Sequence, residues 1–193
     1  MPRRTSVNIQ EKIARAVLAV AAKKGWGRTT LADVAAQAHL SLADLRKSAA
    51  DRGALLEIVA AWIDKQAAQA AASDVDPAES GHDRLFTALM AWFDTLQDHR
   101  AGGGAILKDI MQDPCAAVSV WPLAMQSVRA VCKCAHIAVN GPDGVLKLYV
   151  LSVGYIYMLR IWLNDTSPDL SAVMAALDTR LTQAESLAAA CGL

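Results

Sequence analysis

Thr30-Leu-Ala-Asp33 and Ser41-Leu-Ala-Asp44 constrain this chain more than any other feature of it. In each, a hydroxyl residue precedes a carboxylate by three positions, the spacing at which two side chains satisfy the free amides of a helix start reciprocally. The first start opens a helix through Val34 and Ala35 to about Ala38. The second comes three residues later and can run only to about Ser48, because Asp51 and Gly53 intervene. Helices this short are marginal alone and need a longer neighbour. Ile9, Ile13, Val17 and Val20 recur at three- and four-residue steps behind Asn8 and Glu11, itself a capping-box spacing. Lys23 and Lys24 suit the last turn and Gly25 supplies a stop, which predicts an amphipathic helix over 8–24.

A long helix followed by two short ones joined at His39-Leu40 is a helix-turn-helix arrangement. Ala35 and Ala38 let the short helices cross closely, Leu31, Val34, Leu40 and Leu45 supply a miniature core, and Trp26 plugs the connector. Charge points the same way. The chain is neutral overall, yet residues 1–65 hold 11 Lys and Arg against 6 Asp and Glu, and residues 66–193 hold 8 against 13. A basic head on an acidic body suggests a polyanionic partner for the head.

If the head reads duplex DNA, the exposed face of the 41–48 helix presents Leu42, Ala43, Arg46 and Lys47 to the bases. Thr30, Ser41, Lys47 and Arg52 are candidate phosphate contacts, Arg3 and Arg4 a candidate arm, and Asp44 a cap on its own helix. A solvated surface charge is the bland alternative for each cation.

The remainder is helix-forming material. Ala occurs 38 times, Gly 11 and Pro 6, and aromatics make up 5%, too few for a sandwich or barrel; at 54% apolar the chain is not disordered. Helical periodicity runs over about 55–72, breaks in the polar stretch 73–81, and resumes over 82–98, about 115–139, 145–163 and from Ser167-Pro168-Asp169 to the end. Ala101-Gly-Gly-Gly104 lacks the Lys-Ser or Lys-Thr of a phosphate loop and reads as a helix junction with closely approaching backbones. Val145–Leu163 is nearly long enough to span a membrane. Lys147 and Arg160 interrupt it, so the expectation is a helix buried in a bundle or dimer interface.

Catalysis finds little support: there is no nucleophile elbow, P-loop or dinucleotide fingerprint. Asp94, Asp98, His99, Asp109 and Asp113 could be imagined as a metal site, but paired carboxylates at this spacing more often form a solvated face. Cys132, Cys134 and His136 do not converge on a helix, and with Cys115 and Cys191 they read as free thiols. No cofactor is expected. Arg3, Arg4 and Glu11 interrupt any leader-like apolar run, so a cytoplasmic location is expected.

Residues 9–59 resemble the N-terminal domain of TetR-family repressors through Ala14–Val20, Gly25-Trp26, Thr29–Ala38, Leu40-Ser41, Leu45 and Arg52–Leu56. The family has Gly at the place of His39, an aromatic at Arg46 and Phe at Ala49. The resemblance implies an all-α fold: a three-helix DNA-binding domain over 1–53, then a ligand-binding and dimerising bundle over 54–193. It further implies operator DNA, a small apolar effector, and a homodimer built on residues 145–190. Trp92, Met111, Trp121, Met125 and Tyr155 are candidates to line the effector site. The tail, Trp162–Asp169 with Leu177–Leu181, is also similar to TetR-shaped ubiquinone-biosynthesis accessory proteins. That likeness implies an alternative, a lipid or isoprenoid carrier without operator recognition.

Overall fold

The structure, a computed structural model, describes residues 3–190, with side chains described for residues 9–186. Among the described residues there are ten helices and no strand: α1 (Arg3–Lys24), α2 (Leu31–Gln37), α3 (Leu42–Ser48), α4 (Arg52–Asp74), α5 (Gly81–Asp98), α6 (Arg100–Gln112), α7 (Pro114–Ser119), α8 (Trp121–Cys134), α9 (Gly141–Asn164) and α10 (Ser171–Ala190). The all-α expectation holds. Two compact units form, one from residues up to Lys65 with Leu96–Ser119, the other from Gln66–Thr95 with Val120 onward. The boundary expected after Gly53 falls inside α4.

In the first unit α1 is the central beam. Its Ile13, Ala14, Val17 and Ala21 are fully buried, and Gly25 ends it at φ 81°. The helix starts at Arg3 instead of at Asn8, because Glu11 pairs one turn forward with Arg15 at 2.9 Å rather than reaching back to close a cap. The side chains of Arg3 and Arg4, the expected arm, lie outside those described. The glycines of 101–104 sit inside α6 and not at its junction, which falls at His99. Their use is nonetheless the expected one: a Cβ at Gly102 would stand 2.4 Å from the Leu18 carbonyl oxygen, so the α1 and α6 backbones touch. A second tie is the Gly27 amide, which donates to Asp109 at 2.6 Å. That carboxylate serves the α1–α2 connector. Asp113 likewise accepts from the Cys115 and Ala116 amides that open α7.

The second unit buries Trp92, Phe93, Val131, Leu148, Trp162 and Val173. The final helix begins at Ser171, three residues after the expected Pro168. Asp165 accepts from the amides of Ser167 (2.9 Å) and Val173 (3.1 Å), holding the turn before α10 closed, and Leu170 passes through it at φ 53°. Helix α9 departs from its expectation of burial. Leu148, Ser152, Tyr155, Leu159 and Trp162 point inward, whereas Val145, Leu146, Tyr149, Val150 and Val153 are 50–60% exposed. By length and composition it is apolar enough to cross a membrane, with 33% of that window buried.

Candidate functional site

The reading helix is built from its ends inward. The Ser41 hydroxyl accepts from the Asp44 amide at 3.0 Å and donates to the Asp44 carboxylate at 2.7 Å, fixing where α3 starts. Thr30 and Asp33 do the same for α2: the Asp33 amide donates to Thr30 Oγ1 at 3.2 Å, and the Thr30 amide donates to Asp33 at 2.9 Å. Lys24 of α1 ties to the Asp33 carboxylate as well. Lys24, and after it Thr30, holds the Asp33 carboxyl down at about 2, well below the usual range. Between the two helices the Leu40 amide closes back on the Ala35 carbonyl at 2.9 Å, across a residue in the left-handed region. That residue is His39, at φ 49°, the conformation its place in the turn demanded.

Beneath α3, Leu45 and Ala49 are buried to 0% and 1% and meet a core that includes Val34 and Leu55. Leu31 and Leu40, expected in that core, are only half-buried, while Ala35 and Ala38 lie fully inside. Small side chains at these positions bring the helices close enough that the outer leucines are not needed to fill the gap. Ala49 caps the end of α3 instead of anchoring it with a large ring.

The outward face of α3 carries Leu42, Ala43, Arg46 and Lys47, all exposed. Lys47 pairs with Asp44 at 2.7 Å, both side chains being more than half exposed. Lys47, and after it Ser41, holds the Asp44 carboxyl below its ordinary range. Water screens an exposed pair of this kind, so a phosphate can compete for the ammonium. Arg46 enters no ion pair among the described residues.

Arg52 behaves otherwise. Its guanidinium lies 4.5 Å over the Trp26 ring and donates to the Trp26 carbonyl at 2.6 Å, so it clamps the connector rather than facing solvent. Thr30 and Ser41 remain exposed, but their hydroxyls are committed to the caps. Of the expected phosphate contacts, Lys47 keeps an exposed cation, held by Asp44 on its own helix.

The second unit holds an apolar cavity of about 390 Å³, lined by parts of α5, α8, α9 and α10. Tyr155 lines it, 6.1 Å from Phe93. The other expected lining residues do not. Trp92 is fully buried core, Trp121 packs on Tyr149 at 5.2 Å, Met125 lies off the cavity, and Met111 belongs to the first unit. Sequence reasoning missed Leu89, Val131, Gly154, Tyr157 and Arg180, which do line it. A glycine inside an apolar helical stripe was the available signal for Gly154. Cys132 also faces the cavity, where burial pushes its thiol up to about 11 and disfavours the thiolate. Among the described residues no three His, Cys, Asp or Glu side chains gather closely enough to hold a metal ion.

A short capped helix presented on a three-helix head, with an apolar cavity in a separate helical unit, is the fold of TetR transcriptional regulators. A TetR regulator from Nitrosomonas europaea superposes with a TM-score of 0.68 at 20% identity, over 92% of this chain and 98% of that one. A TetR regulator from a Rhodococcus species gives 0.62 at 16% identity, over 90% and 96%. The TetR family repressor AlkX from a Dietzia species, implicated in biodegradation of n-alkanes, gives 0.56 at 15%, over 90% and 95%. No protein-family profile and no curated protein matches the sequence. The likeness first carried by residues 9–59 thus extends, as fold, along about nine-tenths of the chain.

Proposed function

We propose that this protein is a cytoplasmic, effector-responsive repressor that binds operator DNA as a homodimer. The observation that carries this is α3: capped by Ser41, anchored by Leu45, and offering Leu42, Ala43, Arg46 and Lys47 outward from the basic part of the chain. Arg46 suits a guanine edge or a phosphate, and Lys47 a phosphate. The exposed apolar side of α9 supports the dimer. Val145, Leu146, Tyr149 and Val153 form an exposed stripe that a second copy of α9 would cover. An effector in the 390 Å³ cavity would act by favouring a head spacing that cannot match successive major grooves.

Fluorescence anisotropy with the chain's own promoter region against random duplex, from about 50 to 200 mM salt, tests the reading. A repressor of this kind binds its promoter about 10³-fold or more tightly than random duplex and weakens steeply with salt. Arg46→Ala lowers specific affinity by about 1–3 kcal/mol, and Lys47→Ala flattens the salt slope by about one. Equal affinity for both duplexes would remove the repressor reading and favour a lipid carrier, for which the apolar cavity also speaks.

A further inference from the structure

The cavity of the second unit has one charged residue in its lining, and it is a cation: Arg180, from α10. Its guanidinium stacks 4.6 Å over the Tyr157 ring and donates to Gln183 Oε1 at 2.8 Å, which leaves further N–H groups of the fork unused. No carboxylate among the described residues pairs with it. Asp178 and Glu185, its acidic neighbours on the same helix, both face His82 of α5 instead, at 3.4 and 3.3 Å. This unpaired cation sits in residues 66–193, where carboxylates outnumber cations, 13 against 8. Away from Arg180 the lining is almost entirely hydrocarbon. Gly154 opens the α9 side, where a Cβ would meet nothing within 4 Å.

We propose that the cavity binds an amphiphilic carboxylate, its apolar body among Leu89, Val131 and Gly154 and its headgroup on Arg180. Taking about 30 Å³ per water-sized group, the volume of about 390 Å³ holds about a dozen heavy atoms. A ten-carbon acid is of that size. The pairing is favourable because a guanidinium fork matches a carboxylate in two hydrogen bonds, and Arg180 is exposed, which puts the headgroup at the mouth of the cavity with the apolar body inside. Tyr157 holds the fork flat for that approach. This inference rests on the effector part of the proposed function and names the chemical class of the effector.

Isothermal titration at pH 8 with decanoate, decanol and decylamine tests it, alongside the anisotropy assay. Decanoate is expected to bind at least tenfold more tightly than decanol, with decylamine weakest. Arg180→Gln brings decanoate down to the affinity of decanol and leaves decanol unchanged. Gly154→Leu fills the space and abolishes binding of both, while circular dichroism shows full helix content. Equal binding of acid and alcohol, tighter binding of the amine, an Arg180→Gln variant that keeps its preference, or no binding of any of the three overturns the proposal. Specific DNA binding without decanoate binding would leave the repressor reading standing and remove only this one. Decanoate binding without operator preference would do the reverse.

Discussion

Alanine in place of Gly102 and of Gly154 is the same chemical change at two helix interiors, with opposite expected signs. In a helix, exchanging Gly for Ala gains about 0.5–1 kcal/mol because the unfolded chain loses freedom it no longer has to give up. At Gly154 nothing stands within 4 Å of the new methyl, so that gain is realised in full. At Gly102 the methyl would lie 2.4 Å from the Leu18 carbonyl oxygen and 2.8 Å from its Cα, and a backbone cannot swing aside as a side chain can. Helices α1 and α6 must separate by about 1 Å to restore ordinary contact. Overpacking of this kind costs about 1–3 kcal/mol, leaving a net loss of up to about 2.5 kcal/mol after the helical gain. At roughly 2–4 °C per kcal/mol for a chain of this length, Gly154→Ala melts about 1–4 °C higher than the native protein and Gly102→Ala up to about 10 °C lower. Hydrogen exchange places the effects: amides of α1 and α6 lose protection in the first variant, and those of α9 gain it in the second. Moving α6 also draws Asp109 from the Gly27 amide, so Gly102→Ala weakens duplex binding and Gly154→Ala does not. A Gly102→Ala protein as stable as Gly154→Ala would refute the claim that the two backbones are in contact.

Thr30→Ala removes the hydroxyl that caps α2 and lowers stability by about 1 kcal/mol in urea denaturation. The Asp33 carboxyl, held down at about 2, stabilises the head above about pH 4 and loses that contribution as acid carries it through its folded value. Acid titration followed by circular dichroism should therefore show Asp33→Asn differing from the native protein above pH 4 and converging with it toward pH 2. Arg52→Gln destabilises the first unit through loss of the Trp26 stack, whereas Arg46→Ala leaves the melting temperature within about 1 °C, because a surface change touches no packed group. With iodoacetamide at pH 8, peptide mapping should find exposed Cys115 modified in the native protein and Cys132 only after denaturation.

What the sequence disclosed and what it withheld follow from the range of the forces involved. The caps of α2 and α3 and the positive φ at His39 are local: residues three or four apart dictate them, and the chain's order states those distances. Arg52 shows where that stops. Its charge and its place after the reading helix suggested phosphate, but the ring that takes it is Trp26, 26 residues earlier, and nothing in the sequence records that closure. The start of α10 is partly of this kind: the Ser167 hydroxyl accepts from the Ser171 amide at 3.0 Å, while Asp165 reaches eight residues forward to Val173. The cavity is the extreme case, since it is defined by four helices and by what fails to fill the space between them. Aromatic and Met residues looked like its walls because they are large and apolar. Being large, they are the residues that fill a core, and Trp92 does so completely. A cavity is lined instead by side chains too small or too branched to close it, Gly154 and Val131 among them, with Arg180 at the one place where a charge stays solvated. If this account of the walls is right, enlarging Gly154 removes ligand binding, whereas Trp121→Phe, outside the lining, leaves affinity for decanoate unchanged within twofold.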